Sequence, residues 1–278
     1  MLALLHFRGH FHASRDLLQL TLRNARLLAM LSRREITDRH EGQALGPIWS
    51  IAHPVSMIIV YAVVFGFLFK ARFGGTIDLP LDYTTFIISG LIPWLAFAEG
   101  LNKSATVIVA HTNLVKQVIF PLEVLPMKST VATMFTATVL LSALLIYVVA
   151  VQQVVFWTFL LLPLLLILQA MMLMGFVFAI SAVAVYFRDS KELVQLFCLL
   201  NLYFLPTIYP PGSIPPGINA LMYANPFSYP IWCFQDALFY GRIEHPWAWL
   251  ALAVMAPVSL VTGYRLFRLF KVMFGNVL

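Results

Sequence analysis

Few side chains here could take part in proton, metal or nucleophile chemistry, and they do not gather. Glu99 and Lys103 stand four residues apart, the order in which a carboxylate meets an ammonium one turn along a helix. No other acid falls in the same apolar stretch, so the pair reads as a local ion pair rather than a step in a proton relay. His6, His10 and His12 lie close together, but no acidic or cysteine partner completes a ligand set, and no metal site is expected. Cys198 and Cys233 show no CxxC or Cys/His spacing and read as small buried residues. The sequence contains no GxxxxGK[ST] phosphate loop, so ATP cannot be held in that way. HExxH, GxSxG and paired-carboxylate patterns are missing as well, which leaves a membrane-embedded transferase without catalytic residues.

The elements that position these residues show through the places where charge is missing. Residues 129–187 form 59 positions without Asp, Glu, Lys or Arg; 43–69, 193–235 and 245–264 add runs of 27, 43 and 20. A membrane-crossing helix needs about 20 mostly apolar residues, and a charge at the bilayer centre is costly. Charged residues make up 11% of the 278, against about 25% in an average soluble domain. A soluble core cannot use such runs, because its helices need a polar face. The fold class predicted is therefore an all-α membrane protein. Its six transmembrane helices fall at about 50–69, 84–103, 129–150, 157–185, 193–209 and 247–267. Gln152 and Gln153 join the third span to the fourth.

Six spans place both termini on one side, and the basic residues choose it. With the termini inside, 15 of the 18 Lys and Arg fall in inner segments, and only Lys70, Arg72 and Arg242 lie outside. Positive residues mark the cytoplasmic side, so both termini are expected there. The formal charge of +6 thus points to topology and not to nucleic acid. The opening residues carry charges and histidines where a cleavable signal would be apolar, so the first span is expected to act as an uncleaved anchor.

Residues 1–42 read as a cytoplasmic segment and 43–278 as one transmembrane domain. In the first, Leu17, Leu20, Leu27, Leu28 and Leu31 recur at near-helical spacing among Arg15, Arg23, Arg26, Arg33 and Arg34. That pattern predicts an amphipathic interfacial helix. Residues 206–246 hold eight of the sixteen prolines yet stay uncharged as far as Gln235. Proline forbids a regular span, and broken apolar backbone at membrane depth needs cover. Two short re-entrant helices between spans 5 and 6, at about 217–224 and 227–240, meet both demands; a loop on the outer surface is the alternative.

Aromatic residues are 14% of the chain. Tyr61, Phe65 and Phe69 repeat every four residues on span 1, and Phe197 and Phe204 lie seven apart on span 5. These rings fit lipid-facing or packing roles, or a stacking surface for sugar rings. The inner loop 104–128 is more apolar than a solvated loop. His111, Thr112 and Asn113 suit a helix start, and Pro121 and Pro126 its end. A short helix with Leu114, Val118 and Ile119 beside Lys116 suits docking on another protein. The second inner loop, 186–192, is a short charged turn.

The stretch Leu45-Gly46-Pro47-Ile48-Trp49-Ser50-Ile51-Ala52-His53-Pro54 resembles the LGxxWxxxxP lead-in to span 1 of bacterial polysaccharide ABC-transporter permeases, the membrane subunits for O-antigen, capsule or teichoic-acid export. Gly90-Leu91-Ile92-Pro93-Trp94, the stretch from Asn113 through Phe120-Pro121 to Pro126, and Phe187-Arg188-Asp189 with Lys191-Glu192 agree in order. Ile208-Tyr209-Pro210 and Asn225-Pro226-Phe227 extend the similarity over most of residues 17–245. The chain departs from the family at Thr37 to Gly42, which is more acidic, and at Gln235, where a basic residue often stands.

The resemblance implies a homodimer in the bacterial inner membrane. Two copies of a separate ATPase subunit, which binds the ATP and Mg, would dock on its inner face; this chain would carry no cofactor. A lipid-linked polysaccharide would pass between the two copies, along Tyr61, Phe65, Phe69, Phe197 and Phe204. His111, Asn113, Leu114, Lys116, Val118 and Phe120, with Arg188 and Asp189, would couple to the ATPase. An exporter of small amphipathic molecules from the same superfamily, or a non-transporting assembly subunit, would share much of this pattern.

Overall fold

Uncharged runs become helices because an apolar segment in lipid must satisfy every backbone N–H and C=O within itself. The computed structural model describes residues 7–38, 46–64, 80–115, 120–187, 189–209 and 216–277, and these are helical with short turns. Among the described residues, ten helices of eight or more residues carry the architecture: α1 (Phe7–Arg23), α2 (Ala25–Asp38), α3 (Trp49–Val63), α4 (Tyr83–Val107), α5 (Val124–Val151), α6 (Leu162–Ala184), α7 (Ser190–Asn201), α8 (Pro216–Ala224), α9 (Ser228–Gln235) and α10 (Pro246–Lys271).

Among the described residues, four segments are long and apolar enough to cross a membrane: α4, α5, α6 with its preceding 3-10 turn, and α10. They coincide with the expected spans 2, 3, 4 and 6. α3 has 15 residues and the remainder of expected span 1, including Phe65 and Phe69, lies outside the described residues. Expected span 5 is helical only over the 12 residues of α7 and one 3-10 turn, Leu202–Phe204. Pro206 explains the stop: it pushes the residue before it out of the helical region, and Leu205 is extended at φ −110°, ψ 148°.

α4 is the hub. Its most apolar stretch is 83% buried, against 28–39% for the other three, and α3, α5, α6, α7 and α9 all pack on it. Asp82 caps it, accepting from the Thr85 N–H at 3.3 Å and from the Tyr147 hydroxyl at 3.0 Å, so the start of α4 is tied to the end of α5. α5 turns into α6 through Gln152 and Gln153 as expected, with Gln153 in left-handed backbone at φ 57°.

The tightest helix pair is α6 with α10. A Cβ on Gly263 would sit 1.9 Å from the Gly175 carbonyl oxygen, and one on Gly175 would sit 2.3 Å from the backbone of Ser259. Only small residues let two helix backbones come this close in lipid, where dispersion rather than water drives association.

The amphipathic N-terminal segment is two helices, with Asn24 between them folding its amide back to the Leu20 carbonyl at 2.9 Å. Leu17 is 6% exposed, Leu20 and Leu28 pack beside it, and Arg15, Arg23, Arg26, Arg33 and Arg34 face outward. α1 lies on α10 and α2 on α5. One expectation is corrected nearby. Pro126 does not end a helix; it sits in the first turn of α5, where its missing N–H would have had no partner anyway. α5 therefore starts earlier than expected and takes Lys128 inside it. The two short helices between expected spans 5 and 6 appear as α8 and α9, the second running on as a π-turn, Asp236–Tyr240.

Candidate functional site

Three ion pairs tie the N-terminal helices, the start of α5 with Glu123 before it, and the C-terminal end of α10 together. Arg268 donates to Asp16 at 2.6 Å, joining α10 to α1. Lys128 of α5 meets Glu35 of α2 at 2.9 Å. Lys271 donates to both oxygens of Glu123 at 2.8 Å, and that carboxylate is 5% exposed. A buried carboxylate tolerates its desolvation only with such a partner.

His111 sits inside this network. Its Nδ1 is 2.8 Å from the Val107 carbonyl, which can only accept, so Nδ1 carries the proton. Nε2 is then the acceptor for the Lys128 ammonium at 3.2 Å. Lys128 thereby links Glu35 on the amphipathic helix to His111 in the turn after α4. Below the charges, Leu17, Val107, Ile108, Leu122, Tyr264 and Phe267 share one apolar cluster, with Tyr186 and Phe270 packed on it. The Tyr186 hydroxyl donates to the Phe270 carbonyl at 3.0 Å, which brings the turn after α6 to the same place.

Of the residues expected to couple to a partner, His111 and Phe120 join this knot. His111 is half-buried, Asn113 is exposed, Phe120 is half-buried against the cluster and Asp189 is exposed. Lys116, Val118 and Arg188, and the side chain of Leu114, lie outside the described residues. Asp16, Glu35, Glu123 and Lys128 were missed by the sequence reading. Each acid looked like an ordinary loop or surface charge, and no spacing rule joins residues 93 positions apart, as Glu35 and Lys128 are.

The expected channel residues separate. Tyr61 is half-buried and packs on the main core, whereas Phe197 and Phe204 are 44% and 40% exposed on α7 and its 3-10 extension. Leu193, Leu196, Leu199 and Leu200 are also exposed on α7, and Ile51, Ile59, Val60 and Val63 on α3. Glu99 and Lys103 form the expected ion pair, at 3.0 Å.

The opposite end is held by a carboxylate that the sequence did not flag. Asp236 is fully buried and accepts from the His245 backbone N–H at 3.0 Å, the His245 ring at 2.8 Å and the Trp249 indole at 3.0 Å. It thus fastens the π-turn after α9 to the first turn of α10. Trp232 stacks on the His245 ring at 5.8 Å and meets Trp247 edge-on at 4.6 Å. Burial first, and Asp236 second, push the nearby Tyr240 hydroxyl up to about 12, so it stays neutral at ordinary pH. Cys198 and Cys233 are both free and buried. Among the described residues no three His, Cys, Asp or Glu come together as a metal site.

The ABC-2 type transporter membrane family matches residues 26–239, from α2 to the π-turn. The chain belongs to that family. This ABC-2 protein is 25% identical over 254 residues to the O-antigen export system permease protein RfbA of Klebsiella pneumoniae, covering 91% of this chain and 95% of the relative. It is 26% identical over 244 residues to the protein of that name in Myxococcus xanthus, covering 87% and 91%. The polysialic acid transport protein KpsM of Escherichia coli is 24% identical over 237 residues, covering 84% and 90%. The matched region contains Glu35, His111, Glu123 and Lys128 of the knot, while Asp16, Arg268 and Lys271 lie outside it. Its long apolar helices make this ABC-2 protein a multi-pass membrane protein, a transport component in place of an enzyme.

Proposed function

We propose that this chain is the permease subunit of an ABC transporter that exports a lipid-linked, O-antigen-like polysaccharide across the bacterial inner membrane. The observation that carries the reading is end-to-end similarity to polysaccharide permeases: each relative described is covered over at least 90% of its length. Two copies form the channel, and two copies of a separate ATPase bind the ATP and Mg. α3 with the residues that follow it, and α7 with the residues up to 209, complete six spans. α8 and α9 dip back from the outer face. Both termini lie in the cytoplasm, on the side that receives 15 of 18 basic residues.

Two features support the dimer and the path. α3 and α7 flank the buried α4 and turn apolar faces outward, as helices awaiting a second copy do. Phe197 and Phe204 stand on that face, and with Tyr61, Phe65 and Phe69 they give a sliding glycan many weak, non-directional contacts of roughly 1 kcal/mol each. At the inner end, the segment bearing His111, Asn113, Leu114, Lys116, Val118 and Phe120, beside Arg188 and Asp189, is the ATPase contact. ATP-driven closure of the partner would reach the spans through Lys128 and the apolar cluster.

The test is reconstitution of the chain with its ATPase in vesicles. Lipid-linked glycan should stimulate ATP hydrolysis and pass the bilayer, while small amphipathic compounds should not. Stimulation by the small compounds alone would make the chain a small-molecule exporter of the same superfamily.

A further inference from the structure

A cavity of about 490 Å³ opens between α2, α3, α4 and α5, bordering the knot at Glu35 and with no α7 residue in its lining. Its lining changes character with depth, and does so on α3 and α4 independently. Trp49 and His53 of α3, Glu99 and Lys103 of α4 and Glu35 of α2 line the end nearest the N-terminal helices. Met57, Leu95, Phe135 and Leu140 line the deeper end. From Trp49 to Met57, from Lys103 back to Leu95 and from Ala132 to Leu140 the lining runs eight residues, about 12 Å at 1.5 Å each. A polar mouth above an apolar shaft of that length matches a headgroup and the first part of its acyl chains, not a water-filled polar site.

We propose that this cavity seats one zwitterionic glycerophospholipid, phosphatidylethanolamine in kind, as a resident lipid of each protomer. The charges at the mouth choose the class. Lys103 and Glu99 are paired at 3.0 Å, yet 21% and 24% of their side chains remain open. A zwitterion adds to that pair without breaking it, its phosphate on Lys103 and its ammonium N–H groups on the Glu99 carboxylate. The Trp49 indole and the His53 ring add donors for the phosphate. A bare anion meets two carboxylates at the mouth, Glu99 and Glu35, the latter already held by Lys128 at 2.9 Å. A choline headgroup offers no N–H to Glu99. The diphosphate of a polyprenyl carrier is disfavoured for the same reason as any bare anion, so the site is distinct from the export path. The inference rests on the membrane placement of α3, α4 and α5 and not on the identity of the exported molecule.

The test is native mass spectrometry of the full-length protein, extracted from vesicles with equal parts of phosphatidylethanolamine, phosphatidylcholine and phosphatidylglycerol. The expected result is one phosphatidylethanolamine retained per protomer. Glu99→Gln should cut its preference over phosphatidylcholine by about tenfold, the loss of a charge-assisted hydrogen bond. Ala98→Phe, which fills the cavity while sparing the pair, should remove the lipid altogether. Arg242→Gln, at an exposed ion pair elsewhere, should change nothing. Wild-type protein that retains no lipid, or all three alike, overturns the proposal without any variant having to fold. Displacement of the phospholipid by a long-chain polyprenyl diphosphate also overturns it, and would give the cavity to the exported substrate.

Discussion

At the scale of single residues, two buried charges differ in how exchangeable they are. Lys128 is 8% exposed and serves two partners, Glu35 and His111. Lys128→Met removes the ammonium while keeping the stem, and leaves the Glu35 carboxylate facing an apolar group. We expect a loss of about 1–3 kcal/mol in stability, read by thermal unfolding in detergent. We also expect ATP hydrolysis to continue without export in the reconstituted complex, and Lys128→Arg to restore part of it. Export at the wild-type rate by the Met variant would dissociate the link from coupling. Asp236 receives three donors and carries no competing acceptor. Asp236→Asn turns one acceptor into a donor facing N–H groups. The cost should be about 3 kcal/mol, with the variant trapped as misassembled protein in the membrane fraction. Trp249→Phe removes one of the three donors and should cost about 1 kcal/mol in the same assay. Neither site was legible beforehand. Asp236 merely closes a 43-residue uncharged run, and its partners arrive 9 and 13 residues later across two turns.

At the scale of elements, the sequence was most readable where one physical demand acted alone. Spans 2, 3, 4 and 6 follow from uncharged length, and α8 and α9 from prolines spaced too closely for a span. The amphipathic N-terminal helix follows from a leucine stripe, though its break at Asn24 does not, since Asn is an ordinary helix residue until its amide turns back to Leu20. Where two demands competed, the reading slipped. Pro126 looked like a terminator because helix interiors exclude proline, but a first turn welcomes it. Span 5 looked continuous because hydropathy is blind to Pro206. The α6–α10 crossing was invisible because Gly175 and Gly263 lie 88 residues apart within otherwise featureless apolar runs. Gly263→Val tests that crossing. The added methyl groups would strike the Gly175 carbonyl, so α10 must tilt away, at about 3 kcal/mol. Unchanged thermal stability would mean that the two helices part easily.

At the scale of the whole molecule, the two ends are built differently. One is a knot of ion pairs over an apolar cluster; the other is a ring of aromatic side chains above one buried carboxylate. With both native cysteines buried, single cysteines placed at the exposed Asn113 and Glu244 can report sidedness in whole cells. An impermeant maleimide should label position 244 and spare 113 until the cells are opened; the reverse pattern would invert the topology. The proposed substrate path was the least readable part, because lipid, a second copy and a sliding glycan all favour the same aromatic rings. The glycine contact between α6 and α10 carries a mechanical consequence. Two helices touching backbone to backbone have no side-chain cushion to compress, so they act as a single beam. Compliance is left to α3 and α7 at the flanks of α4. Spin labels at Leu164 and Leu250 should hold one narrow distance through an entire ATP cycle, while a label at Ile59 shifts against either. The molecule would then work as a stiff frame with two hinged panels.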